Sequence, residues 1–167
     1  NRLGFNNGGV EAALKRLQTR DLNIPVGVNI GKNAATPIER AVDDYLIALR
    51  AVYATADYIT VNISSPNTKN LRDLQAPDSV AALVSTLARE GKKLARLHGR
   101  SRPIAVKIAP DIADDAIADV VNAIIDAGAD SIISSNTTIS RETVAGHEYA
   151  KEAGGLSGAP LTKRADA

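Results

Sequence analysis

Cysteine is absent from the 167-residue chain, which excludes disulfides, thiolate metal sites and thiol nucleophiles alike. Its two histidines, His98 and His147, are isolated, so a metal centre has little to build on. No apolar run approaches the roughly 18 residues that a membrane-spanning helix needs. The opening NRLGFNNGG has neither the charged start nor the apolar core of a signal peptide, so the sequence reads as neither spanning nor exported. A charge excess is missing too. The 20 Lys and Arg against 19 Asp and Glu leave +1, and 44% of residues are apolar, which excludes a disordered or strongly nucleic-acid-seeking chain. What remains is about one globular domain's worth of residues. With no Met before Asn1 and a polar TKRADA at the end, the expectation is a segment of something longer.

Four short β-branched runs alternate with helical stretches, the pattern of βαβ units around a parallel sheet. The strands are expected at 26–30, 58–63, 104–108 and 131–135. Between the first two, Thr36 as cap, Pro37 at the first helical position and Glu39 completing a capping box predict a helix. Its apolar face is Ile38, Val42, Tyr45, Leu46, Leu49 and Val52. The next connection carries Val80, Leu83, Val84, Leu87, Leu94 and Leu97, with an interruption expected near Gly91. A third helix, from about Asp114, should bury Ile117, Val120, Val121, Ile124 and Ile125 and stop at Gly128. A further helix over 9–20 precedes the first strand. No linker or low-complexity stretch divides the chain, so residues 1–167 read as one domain.

A period of two separates the faces of each strand. Val26, Val28 and Ile30 share one face, as do Ile59, Val61 and Ile63, and Ile104, Val106 and Ile108; these should pack under the helices. The opposite face carries Gly27 and Asn29, Thr60 and Asn62, Ala105 and Lys107, Ser134 and Asn136. A buried polar group without a partner costs roughly 1 to 3 kcal/mol, so polar residues at equivalent strand ends predict a shared ligand. In a (β/α)₈ barrel those ends form the active-site mouth. An open doubly wound sheet also binds at strand C-termini, but GKNAAT after the first strand is too glycine-poor for a dinucleotide turn. A TIM barrel, of which this chain supplies about the middle four βα units, is the expected fold.

The segment NISSPNT, 62–68, crowds two amides and two serine hydroxyls onto a strand end, with Pro66 stiffening the turn. Alone, it reads equally well as a polar loop bonding its own backbone. Together with AVKIAPD, IISSNTT, GGLSG, NRLGFNN and GVNIGKN, in order along nearly the whole chain, it resembles dihydroorotate dehydrogenase, and specifically the quinone-linked class 2 form. That resemblance implies an FMN enzyme of pyrimidine synthesis that oxidises dihydroorotate to orotate and sends electrons to quinone. It also implies peripheral association with the inner membrane, bacterial on the cytoplasmic side or mitochondrial, through a segment outside these residues.

Residue by residue, the resemblance implies that Ser65 is the base that removes a proton from dihydroorotate. Class 1 enzymes place Cys there, so the absence of Cys agrees independently with class 2. Serine is a poor base at its free pKa and needs a water relay, neighbouring donors or concerted hydride loss. Dihydroorotate is a cyclic ureide with a carboxylate, whose N–H and C=O edge suits side-chain amides. Asn1, Asn62, Asn67 and Asn136 would hold it, with Thr137 and the Asn1, Arg2, Leu3, Gly4 and Phe5 segment completing the pocket. An inward Lys107 cannot stay unpaired. By resemblance it faces the flavin, whereas an ion pair with Asp111 or an outward reach to solvent is the structural alternative. Asn29, Asn62 and Ser135 would also meet the cofactor, and Gly158, lacking Cβ, would let the backbone approach it.

Other signals are weak. Lys92, Lys93, Arg96, Arg100 and Arg102, without interleaved aromatics, read as a solvated surface at a helix end, and no metal site is expected. Asp43 and Asp44, like Asp114 and Asp115, read as helix-start charges. By resemblance the outer barrel strands and the phosphate-binding glycine turns are absent from this chain, so the segment alone should be inactive. Competing readings are another FMN barrel, similar to dihydropyrimidine dehydrogenase or dihydrouridine synthase, and a half-barrel without activity. The first ordinarily places Cys at the base, which this chain lacks.

Overall fold

The computed structural model describes residues 4–21, 23–68 and 70–166. Strands β1 (Gly27–Ile30), β2 (Tyr58–Asn62), β3 (Ile104–Lys107) and β4 (Ser131–Ile133) form one parallel sheet in the order β1-β2-β3-β4. Between them run α2 (Ala41–Val52), α3 (Pro77–His98) and α4 (Ile117–Asp126); α1 (Gly9–Gln18) precedes the sheet and α5 (Thr162–Asp166) follows it. Parallel crossovers take one hand, so strictly sequential order stacks the helices on one side of the sheet. A doubly wound sheet reverses its order at a switch point, and no reversal occurs here. The arrangement is an arc of a (β/α)₈ barrel.

The alternation of apolar residues accounts for the core. Ile30, Ile59, Val61, Ile63, Ile104, Val106 and Ile108 project toward Tyr45, Leu49 and Val52 of α2, Val80, Val84 and Leu87 of α3, and Val120 and Ile124 of α4. Three sequence expectations are corrected at the helices. Thr36 forms no capping box: a 3₁₀ turn, Ile38–Arg40, intervenes before α2, and the Thr36 carbonyl instead accepts the Lys32 ammonium at 2.6 Å. The loop is tied to α2 by Asp44, which accepts the Asn33 N–H at 2.8 Å.

α3 runs unbroken through Gly91, because that position is buried beside Ile104 and Tyr53 on the same apolar stripe as Leu87 and Leu94, and packing of that stripe on the sheet outweighs one glycine's helix penalty. Leu97 and Ile125 are exposed rather than core, being 74% and 55% accessible, since each lies in its helix's last turn on the outward side. α4 does end as expected, with Gly128 at φ +96°, a left-handed value that favours glycine.

The basic cluster also divides. Lys92, Lys93, Arg96 and Arg100 are exposed, but Arg102 is buried, its Nε donating to the Tyr53 carbonyl at 3.2 Å and Nη2 to that of Ala54 at 3.1 Å. It braces the turn entering β2, at the sheet end opposite the polar mouth.

Candidate active site

The polar strand ends meet. A cavity of about 160 Å³ at the C-terminal edge of the sheet is lined by Asn62, Ser65, Pro66 and Asn67 from β2 and its loop. Asn29 from β1, Lys107 from β3, Asn136 and Thr137 after β4, and Gly4 and Phe5 complete it. Register explains the convergence: Asn29 lies opposite Thr60, and Asn62 opposite Lys107, so their side chains rise on the face away from the helices. Asn1, Arg2 and Leu3 lie outside the described residues. Ser135 is half-buried, with its hydroxyl 3.4 Å from the Asn136 carbonyl, and Gly158 is exposed; neither lines the cavity.

Two of the asparagines are locked by one buried serine. Asn62 Oδ1 accepts the Ser64 N–H at 3.0 Å and the Ser64 hydroxyl at 2.9 Å, while Asn136 Nδ2 donates to Ser64 Oγ at 2.9 Å. Asn136 Oδ1 accepts the Thr137 N–H at 2.8 Å. Ser64, wholly buried, therefore fixes both amides, and the Asn62 Nδ2 donor is left without a partner among the described residues. From below, Tyr45 donates to the Asn62 carbonyl at 2.7 Å, and burial raises the Tyr45 pKa well above its ordinary value. The phenol thus stays a donor at any ordinary pH.

Ser65 is 4% exposed, and its Oγ accepts the Asn67 N–H at 3.2 Å. A backbone donor on a hydroxyl oxygen favours negative charge there. No histidine or carboxylate lines the cavity to take the serine proton: His147 and His98 are both exposed, and the latter's ring lies 6.0 Å from that of Tyr53. Lys107 is half-buried and makes no ion pair or hydrogen bond among the described residues. The alternative pairing with Asp111 is not formed, because Asp111 is engaged by Arg72 at 2.6 Å and by the Thr138 hydroxyl. An orphan ammonium beside amide donors suits an electron-rich heteroaromatic ring edge, so these residues fit the ring of a flavin.

Two contributors had little or no signal in the local sequence. Gly155 is buried against Thr137, and Arg72 reaches loops far along the chain. Among the described residues no group of three or more His, Asp or Glu is placed to hold a metal ion.

A (β/α) barrel arc with a mouth of amides, a buried hydroxyl and a free ammonium defines a small-molecule-binding barrel protein of the kind that holds a planar polar ligand. The sequence matches the dihydroorotate dehydrogenase family over residues 1–167. It is 54% identical over 164 residues to the dihydroorotate dehydrogenase (quinone) of Chromobacterium violaceum, covering 98% of this chain and 48% of that protein. To the protein of the same name from Cellvibrio japonicus it is 53% identical over 167 residues, covering 100% of this chain and 49% of the other. The crystal structure of ligand-free type DHODH from Eimeria tenella superposes with a TM-score of 0.87 at 36% identity, over 99% of this chain and 51% of that one. The chain belongs to the dihydroorotate dehydrogenase family. It spans about half the length of the curated relatives it matches.

Proposed function

We propose that the full-length protein oxidises (S)-dihydroorotate to orotate in de novo pyrimidine (UMP) synthesis, with FMN as hydride acceptor and a quinone as the final electron acceptor. The observation that carries this reading is the juxtaposition in one cavity of the Ser65 hydroxyl with the amides of Asn62, Asn67 and Asn136. The substrate loses one proton and one hydride. Ser65 Oγ takes the proton while its own hydroxyl proton passes to solvent water, and the Asn67 N–H stabilises the negative charge that develops on Oγ during the exchange. The Asn62 Nδ2 donor, aimed by the bonds at Asn62 Oδ1, meets a ureide carbonyl. Thr137 and Asn136 form the facing wall, with Phe5 and Gly4 closing the cavity.

Membership of the dihydroorotate dehydrogenase family supports reading the full-length protein as a flavin protein. When bound, FMN supplies the hydride acceptor. Lys107 and Asn29 would hold its ring, the ammonium offsetting negative charge on the reduced form, with Asn62, Ser135 and Gly158 as further contacts. Asn1, Arg2 and Leu3 complete the substrate pocket in this reading. Quinones are lipid-soluble, so the protein works at the surface of the membrane that holds them. None of the helices among the described residues is long and apolar enough to cross one.

Replacing Ser65 by Ala in the full-length enzyme tests the assignment. Flavin reduction by dihydroorotate, followed by stopped-flow absorbance, should slow by about 10² or more, with FMN retained. Ser65→Cys should keep part of the activity, because a thiol also accepts a proton. Reduction of the Ser65→Ala flavin at the parental rate would leave Ser65 as a loop residue only.

A further inference from the structure

We infer that Arg72 and Asp111 act as a positioning pair that sets the gap between Ser65 and the amide wall facing it; the inference rests on the dihydroorotate reading above. Neither side chain lines the cavity. Arg72 lies in the 3₁₀ turn Leu71–Gln75 that follows the NISSPNT loop. Its guanidinium serves three loops at once. Nε donates to the Ser64 carbonyl at 3.1 Å, Nη2 to the Thr137 carbonyl at 3.1 Å, and Nη1 to Asp111 Oδ2 at 2.6 Å. Asp111, in the loop after β3, accepts the Thr138 hydroxyl on Oδ1 and the Ile139 N–H at 3.2 Å on Oδ2.

The loops after β2, β3 and β4 are thereby joined by one ion pair, whose two side chains are 20% and 19% exposed. The joined atoms are informative. The Ser64 carbonyl belongs to the peptide that carries Ser65, and the Thr137 carbonyl belongs to a residue of the opposite wall. A shift in either bond changes the separation of the proton acceptor from the groups that hold the ring. A misplacement of about 1 Å can cost about 10²-fold in rate. Arginine suits the task because its planar fork fixes several directions at once, whereas lysine offers one point charge on a flexible stem.

The test uses the full-length, FMN-loaded enzyme with Arg72→Lys, Arg72→Gln and Asp111→Asn. Flavin reduction by dihydroorotate should fall by about 10- to 100-fold in both Arg72 variants. The FMN-to-protein ratio and the rate at which quinone reoxidises chemically reduced flavin should stay at the parental level. Orotate affinity, measured by equilibrium titration, should weaken alongside, because Thr137 moves. Combining Arg72→Gln with Asp111→Asn should cost little more than either alone, as expected for one unit.

Parental flavin reduction in Arg72→Lys would show that charge suffices and would overturn the fork's positioning role. Equal losses in both half-reactions, or loss of FMN, would mark a general structural brace and overturn it too. If Arg72→Gln does not fold, Asp111→Asn supplies the same comparison. Failure of dihydroorotate to reduce the parental flavin would instead reject the functional reading itself.

Discussion

Thr137 occupies its place in the cavity wall because nothing stands behind it but backbone. A Cβ on Gly155 would sit 1.9 Å from Thr137 Oγ1 and 2.5 Å from its Cβ. Side-chain rotation alone cannot relieve the second contact, so Gly155→Ala must displace the Thr137 backbone. That displacement also strains the Thr137 carbonyl's bond to Arg72. The expected result in the full-length enzyme is a KM for dihydroorotate raised by about tenfold or more, with FMN content unchanged. An unchanged KM would mean that the wall tolerates the shift. Ser64 makes the complementary point. Buried and bonded to both Asn62 and Asn136, it engages Asn62 through Oδ1, which leaves the Asn62 Nδ2 donor for the ligand, and anchors Asn136 through Nδ2.

α3 is the longest helix described, and Gly91 sits inside it with its helical conformation intact. A Cβ there would meet Ile104 Cδ1 at 3.4 Å and Tyr53 Cε2 at 4.0 Å, both ordinary contacts. Glycine in a helix interior costs about 1 kcal/mol relative to alanine, so Gly91→Ala should raise the thermal midpoint. Gly91→Leu should lower it, since the larger group must push Ile104 off the sheet. Thermal unfolding of the two variants checks both signs.

This element also shows what was legible beforehand. Strand faces and helix stripes follow from period-two and period-3.6 patterns, which is why the core and the cavity-lining amides Asn29 and Asn62 were readable residue by residue. The last strand was not: β4 stops at Ile133, and Ile133 rather than Ser134 pairs with Lys107, so Asn136 reaches the cavity from the loop after β4 and not by strand alternation. Gly91 misled because glycine's helix penalty is only about 1 kcal/mol, and burial of the apolar stripe around it outweighs that cost. Thr36 misled in the same way, since Lys32 and Asp44 meet the needs of that loop. Arg72 and Arg102 could not be read at all. Their acceptors lie far off in the chain, and no short window contains both partners.

In the molecule as a whole, β1 and β4 each have one neighbour in the sheet, and the polar face is closed by no helix among the described residues. Backbone donors and acceptors along both edges are open to pairing. Residues 1–167 produced alone should therefore associate, and should bind FMN weakly, having groups that fit the ring but, among the described residues, no recognisable cradle for its phosphate. Fluorescence titration with FMN beside sedimentation analysis checks this; tight one-to-one quenching in a monomer would contradict it. The strictly sequential strand order has a further consequence, for synthesis. Each strand's partner is the one the ribosome has just delivered, so β2 emerges to find β1 waiting, β3 to find β2, and β4 to find β3. The sheet grows in the direction of translation, and no early strand must wait for a distant one to fill a gap between them.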